Sequence, residues 1–136
     1  MATNEVSLRR AAEVPAGGRS FVRAPFRVLT QMKCDVVRIC PVGEVTVETV
    51  GSILEQIEKS TTRGAEHVVL DMRGARCMHS TVLRLVLDAD AASRADGWEF
   101  TLVGGPPHVQ RVFDLTGSRP RLPFLTASQL AALLTA

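Results

Sequence analysis

"HVVLDMRGARCMHSTVLRLVLDAD", residues 67–90, settles the class of fold. Its first six residues are a short β-branched run of the kind a buried strand uses. A polar and glycine-bearing step follows, and from Ser80 a helical pattern runs on to Asp96. Strand, loop and helix within thirty-odd residues is half of a parallel crossover, so neighbouring segments should alternate in the same way.

They do, on both sides. Upstream, "FRVLTQ" and "VVRICPV" read as two strands joined across the polar break Lys33–Asp35, a hairpin whose second strand is punctuated by Gly43. "VETVGSILEQIEKST" carries Val50, Ile53, Leu54 and Ile57 at helical spacing with Glu55, Glu58 and Lys59 outward, and Gly64 suits its end. Downstream, Gly97 closes the second helix and "EFTLVGG" supplies a strand. "PPHVQRVFDLTG" starts a helix on proline and stops it at Gly117, with Val109, Val112, Phe113 and Thr116 on one side. A brief extended piece lies around Pro123–Leu125. Thr126 and Gln129 then form a capping box for a last helix bearing Leu130, Leu133 and Leu134. The order β-β-α-β-α-β-α-β-α predicts one layered α/β domain over residues 26–136. Its sheet is mixed, mostly parallel and four- to five-stranded, with helices packed on it.

Residues 1–25 lack a sustained apolar period, and "VPAGGRS" reads as a flexible lead-in, so this stretch is expected to be a tail. It also holds the chain's whole charge excess. Arg9, Arg10, Arg19 and Arg23 outnumber Glu5 and Glu13, while the remaining residues balance. With 16 basic and 14 acidic side chains and a net charge of +2, no basic patch is legible, which argues against nucleic acid or an anionic membrane as partner. Only 4% of residues are aromatic and none is Tyr, so a base-stacking surface is not indicated. No membrane-length apolar run and no secretory signal core are present, giving an expectation of a cytoplasmic protein. Cys34, Cys40 and Cys77 form no CxxC pattern and are expected as reduced, partly buried thiols.

Enzyme readings find little support. "LVGGPPH" lacks the Lys-Ser/Thr of a phosphate-binding loop and the third Gly of a dinucleotide fingerprint, so a tight turn is the simpler cause. Asp71 ends a strand without the companion carboxylates that hold a divalent cation, and is expected to shape a turn. Cys77, His79, His67 and His108 offer no zinc spacing. No cofactor and no metal are expected.

The blocks "VVRICPVGEVTVETVGSILEQI", "HVVLDMRGARCMHSTVLRLVLDA" and "EFTLVGGPPHVQRVFDLTG" together resemble the STAS domain, and more narrowly the bacterial anti-sigma factor antagonists. The resemblance spans residues 26–126. It implies a non-catalytic domain that binds an anti-sigma factor, itself a serine kinase, and so frees a sigma factor. Phosphorylation of a Ser at the start of the second helix, in an Asp-Ser-Ser/Thr-Gly motif, would end the complex, and a phosphatase would reset it. The motif falls on His79-Ser80-Thr81-Val82 and carries the acceptor role onto Ser80, with Thr81 the alternative. The implied partner surface comprises Thr46, His79, Ser80, Thr81 and Arg84. The pattern is altered where it matters. His79 replaces the motif's Asp, Val82 its Gly, and Thr46 takes a second commonly acidic position. Val82 is expected to crowd the surface that a partner approaches, and Ser80 to serve at least as a helix cap. A switch at Ser80, a constitutive binder that has lost it, and a STAS scaffold or sensor with another protein partner all remain open. A small nucleotide-binding enzyme using Gly104-Gly105 is the outlying alternative.

Overall fold

The computed structural model describes residues 26–77 and 80–135, with the backbone alone at residues 77, 80 and 81. The expected alternation is there. Strand β1 (Arg27–Lys33) pairs antiparallel with β2 (Val36–Glu44), in a register that sets Leu29 opposite Cys40. The turn passes through Cys34 at φ 56°, a left-handed conformation that costs a non-glycine residue some strain. The carbonyl of Asp35 then accepts the N–H groups of Glu66 and His67, which seats the start of the next strand.

Helix α1 (Val47–Thr62) leads to β3 (His67–Asp71). A single 3-10 turn (Met72–Gly74) and a short strand β4 (Ala75–Cys77) intervene before α2 (Ser80–Asp96). Strand β5 (Glu99–Val103), α3 (Pro107–Leu115), a second 3-10 turn (Arg119–Arg121), β6 (Phe124–Leu125) and α4 (Ala127–Thr135) complete the chain. The main sheet runs β1-β2-β3-β5-β6, parallel from β2 onward, and β4 pairs with the far end of β2. The sheet therefore has six strands where the sequence predicts four to five. The extra one, β4, is three residues long, too short for any side-chain alternation to register.

Successive strand residues face opposite ways, and the two faces have different covers. Val28, Ile39, Val68, Leu70 and Leu102 meet Ile53 and Ile57 of α1, Val82 and Val86 of α2, and Val109 and Phe113 of α3 in one large core. On the other face Val36, Val69 and Val103 meet Leu130 of α4, with Leu133 and Leu134 half-buried beside them. The capping box of α4 is present. Gln129 N–H donates to Thr126 Oγ1 at 3.1 Å, and Thr126 N–H donates to Gln129 Oε1 at 2.8 Å. One expected core position fails: Leu54 is 40% exposed, while Gln56 and Ser60 of the same helix are buried.

Candidate functional site at the start of the second helix

Glu44 and Cys77 face each other in the β2–β4 pairing, and each chain goes on to start a helix three residues later. The N-termini of α1 and α2 are thus brought to the same end of the sheet. Thr46 caps α1. Its Oγ1 accepts from Thr49 N–H at 3.3 Å, and Thr49 Oγ1 accepts from Thr46 N–H at 2.7 Å, a reciprocal box. The next residue, Val47, is an apolar side chain 66% exposed beside that cap, which the helical pattern gave no reason to single out.

Ser80 opens α2, with Thr81 next. Ser80 already lies within the helix, so it is not the cap residue that the sequence suggests, and His79 lies outside the described residues. Four residues on, the Arg84 guanidinium is exposed and lies 3.5 Å from Asp88, a surface pair worth at most about 1 kcal/mol. Val82 contradicts the expectation. Rather than crowding an approaching partner, it is 0% exposed and lies in the large core. On a helix whose exposed face holds Arg84, position 82 points inward, so its β-branched side chain packs against the sheet.

The segment that delivers Ser80 is braced from several sides. Asp71 ends β3 fully buried. Arg73 donates to it twice, Nε to Oδ1 at 2.9 Å and Nη2 to Oδ2 at 2.8 Å, and the Arg73 backbone N–H adds a bond of 3.1 Å. Arg38 Nε reaches Oδ2 at 2.9 Å from β2. Burial by itself would raise the carboxyl pKa, but the hydrogen bonds from Arg73 and Arg38 outweigh it and hold Asp71 below its ordinary 3.8. Asp71 shapes a turn, as the sequence suggests. Behind it, burial and then the Asp71 charge push the Cys40 thiol above 9.0, so it is a poor nucleophile. Cys34 is exposed, contrary to the expectation of burial, because it occupies the hairpin turn; the side chain of Cys77 lies outside the described residues.

Two close approaches fix the 3-10 turn between Asp71 and β4. A Cβ on Gly74 would lie 3.2 Å from the Pro41 carbonyl oxygen, and one on Gly105 would lie 2.7 Å from that of Met72. On the far side His108 Nε2 donates to the carbonyl of Arg76, tying α3 to β4. The Gly104-Gly105 turn is closed on itself. Gln110 Oε1 accepts the Gly105 N–H at 3.0 Å, and the same side-chain amide stands where a phosphate cradle would need space. Among the described residues no three His, Cys, Asp or Glu side chains form a group fit to hold a metal ion, and no helix is long and apolar enough to cross a membrane.

A family model described as "Mlab, STAS domain" matches residues 26–120. The chain belongs to the STAS-domain family. This STAS domain is similar in fold to the anti-sigma factor antagonist SpoIIAA in its unphosphorylated form. Identity is 23% and the TM-score 0.66, over 78% of this chain and 92% of that one. An anti-sigma factor antagonist from Mycobacterium paratuberculosis superimposes with a TM-score of 0.70 at 19% identity, over 85% of this chain and all of the other. The phosphorylated form of SpoIIAA, a Bacillus cell fate determinant, gives 0.62 at 22% identity, over 78% of this chain and 96% of that one. No curated protein matches the sequence.

Proposed function

We propose that this STAS domain is a non-catalytic anti-sigma factor antagonist. It binds an anti-sigma factor that is also a serine kinase, frees a sigma factor, and is released when Ser80 is phosphorylated. The observation that carries the reading is Ser80 at the mouth of α2, alongside the start of α1. A helix N-terminus stabilises an added phosphate through its unpaired N–H groups and dipole, so phosphorylation there need not unfold the domain. Arg84 stands one turn along as a partner for the phosphate or for a partner's carboxylate. Because Val82 is buried, the loss of the motif's glycine leaves the outer surface unobstructed, and His79 and Thr46 remain the two altered positions. The contact surface comprises Thr46, His79, Ser80, Thr81 and Arg84, the cell compartment is the cytoplasm, and a phosphatase completes the cycle.

The test is intact-mass analysis after incubation with the anti-sigma kinases of the source cell and ATP. One added phosphate mapped to Ser80 is expected, and mapping to Thr81 moves the switch by one residue. Ser80→Ala should keep partner affinity, and Ser80→Asp should lower it by about a hundredfold, or ~2.7 kcal/mol. Equal binding by both variants would exclude a switch at this position.

A second reading keeps the fold and changes the partner: a STAS scaffold without a phosphoswitch. The altered motif at His79 and Thr46 favours it, as does a family match to the Mlab type of STAS domain. Failure of every anti-sigma kinase to form a complex would select it.

A further inference from the structure

The helical pattern fails at one place in α1, and a cavity lies there. Gln56, Lys59, Ser60 and Arg63 follow the i, i+3, i+4, i+7 spacing of a single helix face. That face is turned toward the β1–β2 hairpin, where an apolar stripe would be ordinary. Gln56 is only 7% exposed and Ser60 8%. Between this face and the hairpin is a cavity of about 240 Å³, with Met32 and Val37 as its apolar wall and Lys59 and Arg63 among its lining residues.

The polar groups that α1 contributes are not consumed internally, and Thr30 of β1 also lines the cavity. Ser60 Oγ donates to the Gln56 carbonyl at 2.8 Å and keeps its lone pairs. The Gln56 side-chain amide makes no hydrogen bond to any described residue, yet no fully enclosed polar atom is left unsatisfied, so the amide opens onto the cavity. A leucine in so buried a position would bury apolar area where the amide gives up part of its hydration. Lys59 and Arg63 form no ion pair among the described residues. Their charges sit at the C-terminus of α1, where the helix dipole already attracts cations and opposes a multiply charged anion.

We propose that this cavity binds a short-chain monocarboxylate. The apolar body lies along Met32 and Val37, and the carboxylate meets Lys59 and Arg63 with one oxygen accepting from the Gln56 amide. At about 240 Å³ the cavity is small, which limits the apolar body to a short chain. The site is remote from Ser80: it lies by the first residues of β2 and the last turns of α1, whereas Ser80 lies beyond the other ends of both. It does not depend on the proposed function.

Hexanoate is the probe, titrated into the full chain and followed by backbone amide chemical shifts, with hexanol and hexylamine as controls. Saturable shifts confined to Met32, Val37, Gln56, Lys59 and Arg63 are expected. Hexanol should bind at least tenfold more weakly, and hexylamine should give no saturable shift. Gln56→Leu should raise thermal stability and lower hexanoate affinity at least tenfold. Lys59→Glu, an exposed change that does not threaten folding, should lower affinity by a similar factor. Absence of saturable shifts at these positions, equal binding of hexanol, or undiminished binding to Gln56→Leu would overturn the proposal.

Discussion

Asp71 shows how much a single buried carboxylate can organise. Its two oxygens take donors from β2 and from the turn that follows β3, so the residue joins sheet and loop where the chain leaves for Ser80. Removing one member of a buried pair costs more than the pair contributes, because the remaining charges lose their compensation. Asp71→Asn should therefore destabilise the domain by about 3 kcal/mol, the low end of the usual range, since Arg73 is half exposed and water screens it. The pH dependence has a definite sign. The folded carboxyl lies below the ordinary 3.8, so its contribution is complete above that value and is lost as pH falls through the folded pKa. Urea midpoints measured from pH 7 downward should keep variant and wild type apart by a constant gap until about pH 4, then bring them together. A gap that persists unchanged at pH 2 would mean that the carboxylate charge is not what the arginines hold. At this scale the sequence was readable for Asp71, a carboxylate at a strand end, and misleading for Val82. Position in the motif said "surface", while helix geometry turns the side chain into the core.

At the scale of elements, the long periodic segments were the legible ones. Alternation of strands and helices, the hairpin, the helix ends at glycine and the Thr126–Gln129 box all follow from local chemistry that the chain carries wherever it folds. Strand β4 was not legible because its pairing depends on a partner thirty residues upstream and on tight backbone contacts. Leu54 is exposed and Gln56 buried because α1 meets the hairpin through a polar stripe, which periodicity cannot foresee. The neighbourhood of Ser80 was therefore only partly visible: the helix start could be read, the braces beneath it could not. Those braces make a distinction between two adjacent glycines testable. Neither Gly104 nor Gly105 has a positive φ, so conformational freedom is not what requires them. A Cβ at 105 would meet the rigid Met72 carbonyl at 2.7 Å, whereas one at 104 would meet the Gln110 side chain, which can move. Gly105→Ala should cost about 1–3 kcal/mol of stability, and Gly104→Ala less than about 1 kcal/mol. Equal melting temperatures for the two variants would remove the close approach as the reason for glycine.

For the molecule as a whole, the decisive feature is a sheet with two unequal covers. Three helices seal one face with a large aliphatic core, and the other face relies on α4 over a few valines. The family match ends at residue 120, before α4 begins, and the energetic share of that last helix can be measured separately. Removing residues 126–136 takes away fully buried Leu130 and the half-buried Leu133 and Leu134, and uncovers Val36, Val69 and Val103. At about 1.5–3 kcal/mol for a fully buried leucine, with partial contributions from its neighbours, the loss should be roughly 3–5 kcal/mol. That is a large share of a small domain's stability, yet the larger core is a cluster separate from the one that α4 covers. The truncated chain should stay folded with a lower urea midpoint, bind a hydrophobic dye on its bared face, and still accept phosphate at Ser80 under the proposed function. Hydrogen exchange decides between the outcomes. Protection retained at Val68 and Leu70 with loss at Val36 and Val103 is the expected result. Collapse of protection throughout would mean that the two cores fold as one cooperative unit and that α4 supports the site as well as the sheet.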